Sequence, residues 1–319
     1  MHVFRGLPDP LLRRPSAVAI GNFDGVHLGH QSLLASVREA AQARGLVPSV
    51  VTFEPHPRDY FGRGSVARIS TLYDKVMRIL DAGIERIYIL PFHHSLASRS
   101  AESFVKDILI EGLETCWLTV GEDFRFGGDR KGDVTLLEAL SRKEAFELYI
   151  APTFFHTSTR VSSTRIRETL AGGDLFEAQV MLGHPYTMTG RVIHGAALGR
   201  TIGFPTLNLA PIPPGSRAHP AVAGVYAVRI EGLGPAVRNG VASIGVKPTV
   251  ATDGRWLLET HVFDWRGDAY GRLIRVEFVE RLRGEKKFSG LDELKAAIHA
   301  DAERARRILG CPLEGQTVF

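Results

Sequence analysis

Cysteine is nearly absent from this chain, with Cys116 and Cys311 the only two among 319 residues. Two cysteines cannot build a disulfide framework, and they point to a reducing compartment. Long apolar runs are missing as well: no stretch reaches the roughly 18 residues of a membrane span. The N-terminus lacks the basic and then apolar segments of a secretory signal. Nor does one sign of charge dominate, since 39 Lys and Arg face 35 Asp and Glu for a net +4. Membrane-spanning, disulfide-scaffold and collagen-like classes are excluded, and a cytoplasmic, soluble chain is the expectation. Gly-x4-Gly-Lys-Ser/Thr is absent, as is His-Arg-Asp paired with Asp-Phe-Gly, so neither a P-loop enzyme nor a protein kinase is expected.

What is present is an ordinary globular composition, 44% hydrophobic and 23% charged, long enough for two domains at about 150 residues each. After Pro185 there are 18 basic residues against 13 acidic ones. That surplus suits an anionic ligand. It lacks the aromatic interleaving or long basic tract of a nucleic-acid binder, so no nucleic-acid partner is expected.

Two patterns divide the chain. Up to Ile150, short β-rich runs such as Val18–Ile20 and Ser49–Phe53 alternate with amphipathic helical stretches such as 31–43 and 72–80. Strands alternating with helices predict βαβ crossovers and a doubly wound parallel sheet, Rossmann-like, with ligands at the strand carboxyl ends. Thr164–Leu170 and Leu175–Met181 read as short helices, the second opened by Asp174 with Glu177 as a capping-box variant. Beyond Pro185 the runs alternate and are broken by turns. In Leu273–Leu282, Ile274, Val276 and Phe278 face one way and Arg275 and Glu277 the other. An antiparallel sheet or small barrel is predicted there, closed by a terminal helix from Leu291. The expected division is 1–185 and 186–319.

The first strand runs through Gly21-Asn22-Phe23-Asp24-Gly25-Val26-His27-Leu28-Gly29-His30 into a helix. A helix N-terminus offers unpaired N–H groups and the positive end of its dipole to a phosphate, and Gly25 and Gly29 allow close backbone approach. His27 and His30, three apart, project from one face of the first turn, where imidazoles suit charge growing on a phosphoryl group. A second stretch, Arg160 to Arg167, puts Ser163, Thr164 and Arg165 at a helix start, the hydroxyls and guanidinium groups of a phosphate clamp. A third, Gly121 to Asp133 with Asp123 in it, follows a strand and lies over the ligand end of the sheet. Each alone also fits a bland reading: exposed histidines in a turn, a plain helix cap, a surface loop.

Downstream, Gly190 to Asn208 is punctuated by Gly199 and Gly203. Such a loop, with Arg200 in it, can cover phosphates with its N–H groups. Thr206 and Asn208, two apart, share one face of an extended segment, and oxygen ligands of that kind suit Mg²⁺ carrying nucleotide phosphates. Glu259 stands in the otherwise apolar or bulky run Trp256–Phe263, where a carboxylate near a primary hydroxyl could act as a general base. A β-turn with an Asn cap and a Glu on a wet strand face are the plain alternatives.

His-x-Gly-His after the first strand, with a late Ser-Ser-Thr-x-Ile-Arg, resembles the nucleotidyltransferases that move an adenylyl group from ATP. Gly-Asn-Phe-Asp-Gly-Val-His-x-Gly-His and Gly-x-Asp-Phe-x-Phe-Gly narrow this to the N-terminal module of the bacterial bifunctional riboflavin kinase/FAD synthetases. Gly-Arg-Thr-x-Gly-Phe-Pro-Thr-x-Asn, Gly-Val-Tyr, Glu-Thr-His-x-Phe-Asp and Lys-Phe-x-x-Leu-Asp-Glu-Leu look like the flavokinase module of the same family. The resemblance implies a six-stranded barrel with a terminal helix in the second half, and riboflavin, FMN and ATP as substrates, with FMN and FAD as products. It also implies that the FMN phosphate attacks the α-phosphorus of ATP, assisted by His27, His30, Arg160, Ser163, Thr164 and Mg²⁺, and that Asn22, Gly25, Gly29, Asp123 and Arg165 belong to the same site. In the kinase half, Thr206 and Asn208 would hold Mg²⁺ and ATP phosphates, Gly199, Arg200 and Gly203 would cover them, and Glu259 would take the proton of the riboflavin 5′-hydroxyl. The chain departs from the family pattern at Ser243, Val246 and Lys247, in place of Asn, Thr and Arg, and in the less acidic Trp265–Gly271, positions that bear on flavin affinity.

Overall fold

The computed structural model describes residues 1–61, 65–195, 199, 203–247 and 255–312. The chain forms two compact units: Met1–Val66 with Lys75–Ser162, and Ala67–Asp74 with the chain from Ser163 onward. Among the described residues, no helix is long and apolar enough to cross a membrane.

The first unit is built on six strands: β1 (His2–Arg5), β2 (Ser16–Ile20), β3 (Val47–Glu54), β4 (Arg86–Pro91), β5 (Thr115–Gly121) and β6 (Glu147–Ala151). They pair in parallel in the order β1-β4-β3-β2-β5-β6. From β2 the chain first adds strands on one side and then on the other. The order therefore reverses at β2, and the crevice outside its carboxyl end is where such sheets take ligands. All five residues of β2 are buried, as expected for a central parallel strand with both faces covered. Helix α1 (Leu28–Arg44) follows and buries Leu33, Leu34, Val37, Ala40 and Ala41. Gly45 ends it in the left-handed conformation, φ 66°. The stretch read as an ordinary helix from Ala101 is π-wound over Phe104–Ile110.

The second unit has six antiparallel strands, β7 (Thr187–Arg191), β8 (Leu207–Leu209), β9 (Gly224–Glu231), β10 (Arg238–Lys247), β11 (Arg255–Val262) and β12 (Leu273–Arg283), in the order β7-β12-β9-β10-β11-β8. Just beyond β7, Ile193 bridges to Asn208 of β8, which nearly closes the sheet into a barrel. Ile274, Val276 and Phe278 are buried, as the alternation in the sequence predicts, with Tyr226, Ile244 and Leu258. A second apolar cluster unites Phe204, Val225, Val241, Phe263 and Leu282 with Ala302 and Ala305 of the terminal helix, Leu291–Ile308. Arg306 of that helix lies 4.3 Å from the centre of the Phe263 ring and bonds both carboxylate oxygens of Asp264 at 2.9 Å. The guanidinium bonds hold the Asp264 carboxyl below its ordinary range.

Two helices, Ser163–Gly172 and Leu175–Leu182, belong to this unit, and Asp174 caps the second by accepting from Glu177 N at 2.9 Å. So does a piece of the first half of the sequence. Ala67–Arg68 pairs in parallel with His219–Pro220. Asp74, only 2% exposed, accepts from Thr189 N at 2.8 Å, Thr189 Oγ1 at 2.5 Å and Thr71 Oγ1 at 2.7 Å. The compact units thus do not coincide with the change of sequence pattern near Pro185, because tertiary pairing recruits a segment that chain order assigns elsewhere. Replacing Asp74 by Ala leaves a buried N–H and hydroxyl of β7 without their acceptor. We expect this to destabilise the second unit by about 3 kcal/mol, read as a lowered midpoint in urea unfolding followed within that unit. An unchanged midpoint would show that the carboxylate does not hold the barrel.

Candidate active sites

In the first unit the site begins where β2 stops. The seven residues that follow turn sharply: Phe23 and Val26 take φ of 49° and 41°, and Gly25 takes 83°. Left-handed non-glycine residues are costly and persist only where the surroundings over-determine them. Several contacts do so here. Phe23 is fully buried, Val26 N donates to Phe23 O at 3.2 Å, and Gln31 Nε2 donates to Val26 O at 2.8 Å. The Asn22 carbonyl accepts from Thr52 Oγ1 at 3.1 Å.

His27 is the N-cap of α1, its Nδ1 accepting from His30 N at 3.3 Å. That role places the proton of the neutral ring on Nε2, which makes Nε2 a donor. The two imidazoles stack, centroids 3.6 Å apart and planes 16° from parallel, so the common face expected from their spacing exists. His30 also packs on Phe23, with centroids 5.1 Å apart. A side chain at Gly29 would lie 3.3 Å from the His27 ring and from Phe154, tight enough to disturb the stack. Asn22 Oδ1 is buried with no hydrogen-bond partner among the described residues, an acceptor suited to a donor from a ligand. Asp123 and Arg160 pair with each other. Ser163, Thr164 and Arg165 form the first turn of the helix Ser163–Gly172, in the second unit.

In the barrel, three strands bring together residues that are far apart in sequence. Glu259 on β11 lies opposite Asn208 of β8 on one side and opposite Ser243 of β10 on the other. Register partners project from the same face with Cβ atoms about 5 Å apart, so Ser243, Glu259 and Asn208 form one row. Leu258, Thr260 and Val262 point to the opposite, buried face. The row is roofed by the glycine segment: a Cβ at Gly195 would sit 2.5 Å from Asn208 Nδ2, a close approach only glycine permits. Asn208 is 5% exposed and its Oδ1 has no hydrogen-bond partner among the described residues. Gly199 O accepts from Phe204 N at 2.8 Å, and Gly203 has φ 87°. Arg200 lies outside the described residues, as does the side chain of Lys247.

Two groups that the sequence does not single out also shape these sites. His261 Nδ1 donates to the Pro205 carbonyl, 2.9 Å away, next to Thr206, while its ring meets Phe204 edge-on at 5.1 Å. Lys75, 4% exposed, reaches the Asn22 carbonyl and Thr52 Oγ1, each at 3.4 Å. Its one signal in the sequence is a cation among the apolar positions Leu72, Val76 and Ile79 of a helix.

Comparison with known proteins bears on both halves. Residues 10–165 match the family model described as FAD synthetase, and residues 182–309 match the one described as riboflavin kinase. The chain is 42% identical over 294 residues to the bifunctional riboflavin kinase/FMN adenylyltransferase of Escherichia coli K12, covering 92% of each. It is 40% identical over 311 residues to the protein of that name from Haemophilus influenzae, covering 96% of this chain and 98% of the relative. Among solved structures, one titled macrolide-efflux protein from Streptococcus pneumoniae has the same fold, with a TM-score of 0.72, 30% identity and coverage of 96% and 98%. The chain belongs to the family of bifunctional riboflavin kinase/FMN adenylyltransferases.

Proposed function

We infer that this chain makes both flavin cofactors, transferring the γ-phosphoryl group of ATP to riboflavin to give FMN, and then the adenylyl group of a second ATP to FMN to give FAD and pyrophosphate. The observation that carries this reading is that the two matched families fall on different parts of the chain, and each part holds its own chemically suited set of residues. We assign adenylyl transfer to 1–185 and the kinase to 186–319, in a cytoplasmic enzyme.

In the kinase, Glu259 accepts the proton of the riboflavin 5′-hydroxyl as its oxygen bonds to the γ-phosphorus and the bond to ADP breaks. Ser243 and Asn208 flank that carboxylate in the same strand row. Thr206 and Asn208 fit Mg²⁺: a buried, unsatisfied amide oxygen beside a hydroxyl is a hard-oxygen donor set. Bound there with ATP, the cation would supply charge neutralisation of the phosphates. Among the described residues no three His, Cys, Asp or Glu side chains gather as a metal cage. Gly199, Arg200 and Gly203 belong to the covering loop.

For adenylyl transfer the nucleophile is the FMN phosphate, already anionic, so no protein base is required. An FMN oxygen bonds to the α-phosphorus as pyrophosphate leaves. His27 Nε2 and the His30 ring donate to the charge that develops, and Asn22, Gly25 and Gly29 shape the backbone cradle. Asp123 and Arg160 belong to the nucleotide site, with Arg160 exchanging Asp123 for phosphate. Ser163, Thr164 and Arg165 offer nucleotide phosphate the hydroxyls and guanidinium of a helix start in the second unit.

Separation of flavins by chromatography tests these assignments. Replacing Glu259 by Gln should slow FMN formation by roughly two to four orders of magnitude and leave conversion of supplied FMN to FAD intact. Replacing His27 or His30 by Ala should cost FAD synthesis on the order of 10²-fold or more, with FMN accumulating from riboflavin. Matched losses of both activities in either variant would remove the case for two separate sites. Excess chelator should abolish both reactions, and turnover that persists in it would exclude a divalent cation from the reaction.

A further inference from the structure

We propose that Lys75 is a positioning residue for adenylyl transfer, holding the main chain at Asn22 and through it the loop that presents His27 and His30. The inference rests on assigning that reaction to the His27–His30 loop. Lys75 lies on the helix Leu72–Asp81 with its side chain 5% exposed. Burying an ammonium is expensive unless it is paired and hydrogen-bonded. Its Nζ lies 3.4 Å from the Asn22 carbonyl, 3.4 Å from Thr52 Oγ1 and 3.8 Å from the Glu54 carboxylate. An ion pair with Glu54 alone would make it part of the scaffold. The other two contacts carry the argument further. Thr52 Oγ1 donates to the same Asn22 carbonyl at 3.1 Å, so donors from β3 and from a helix converge on one peptide oxygen.

That peptide stands immediately before Phe23, the first left-handed residue of the turn. A shift at Asn22 cannot be absorbed locally. Phe23 is sterically constrained at φ 49° and its ring is fully buried. The ring also bears directly on His30, with centroids 5.1 Å apart. His30 in turn is stacked on His27, which caps the helix through its own ring nitrogen. Movement of the Asn22 carbonyl therefore reaches both imidazoles within two contacts. Displacements of about 1 Å in a catalytic array cost on the order of 10²-fold. The ammonium acts from beneath the turn, and its effect should appear in the rate of the bound complex more than in substrate affinity.

Steady-state kinetics of the full chain test this. Lys75→Met should lower kcat for FAD synthesis at saturating ATP and FMN by roughly 10- to 100-fold, with both KM values within about threefold of the parent. FMN formation from riboflavin should be unchanged. Lys75→Arg should recover most of the loss, and in ¹⁵N-histidine spectra the His27 and His30 ring signals should shift in the Met variant. A kcat within about twofold of the parent, a loss confined to KM, or a parallel loss of both activities with a lowered unfolding midpoint would each overturn the proposal. If Lys75→Met does not fold, Thr52→Val decides, since it removes the second donor from the same carbonyl: a smaller fall in kcat supports the proposal, and an unaltered kcat overturns it. His27→Ala assayed alongside separates the failures. If it is inactive while Lys75→Met is fully active, only the role of Lys75 falls, whereas a fully active His27→Ala means that the site assignment fails.

Discussion

The structure of the first half depends on one turn of main chain, the passage from the buried strand Ser16–Ile20 to the helix beginning at Leu28. Order reversal at β2 leaves a crevice at its carboxyl end, and the chain must turn there without filling it. Within that passage the strain is concentrated at Phe23 and Val26, both left-handed without being glycine. What offsets the strain is burial of the Phe23 ring and a set of hydrogen bonds onto the carbonyls of Asn22, Phe23 and Val26. Because the loop has no slack, the two histidines at its exit are held as a stacked pair. Such preorganisation is what electrostatic stabilisation of a transition state needs, since donors already in place do not have to reorganise.

The barrel solves a related problem with register. A strand pair sets which side chains meet, and a slip of one residue would send Glu259 to the opposite face, among Leu258 and Thr260. Closure through the Ile193–Asn208 bridge fixes β8 against β11. Gly195 then lets the loop descend onto Asn208 closely enough to bury it. The terminal helix holds the neighbouring part of the same face: Val241, two residues from Ser243, packs with Ala302 and Ala305. Phe204 joins that cluster and touches both His261 and His299, at 5.1 and 4.7 Å. The glycine loop is thereby tied to the helix that lines the barrel.

Legibility in the sequence followed the range of the interactions. The strand, glycine loop and His-x-Gly-His arrangement could be read because all its parts lie within one turn of chain, where spacing alone dictates that His27 and His30 share a face. Alternation in Leu273–Leu282 gave the buried face of β12 for the same local reason. The π-wound stretch could not be read, since its buried residues Phe104, Val105, Ile108 and Leu109 have a spacing that either winding accommodates. Nor could the membership of Ala67–Asp74 in the second unit, which rests on pairing with His219–Pro220 and on Asp74 meeting Thr189. Lys75 looked like any helix cation, and only the fold shows it buried. The Ser243–Glu259–Asn208 row was nameable residue by residue through family motifs, but the adjacency itself is a property of strand register.

The two chemistries explain why the two halves are built differently. A riboflavin hydroxyl is a poor nucleophile until its proton is taken, so on the proposed assignment the kinase half needs a carboxylate where the hydroxyl will sit. Glu259 stands in a row with two polar neighbours, one of them roofed by a loop. FMN arrives at the second reaction with its nucleophile already ionised. With the nucleophile already ionised, a base is unnecessary there. What the second reaction lacks is relief of the charge gathered as one phosphate approaches another. On the proposed assignments, imidazole donors at a helix N-terminus supply that relief beside the guanidinium of Arg160. On the proposed assignments, the order of the reactions in the cell sets the residue types: base first for a neutral alcohol, donors second for a charged phosphate.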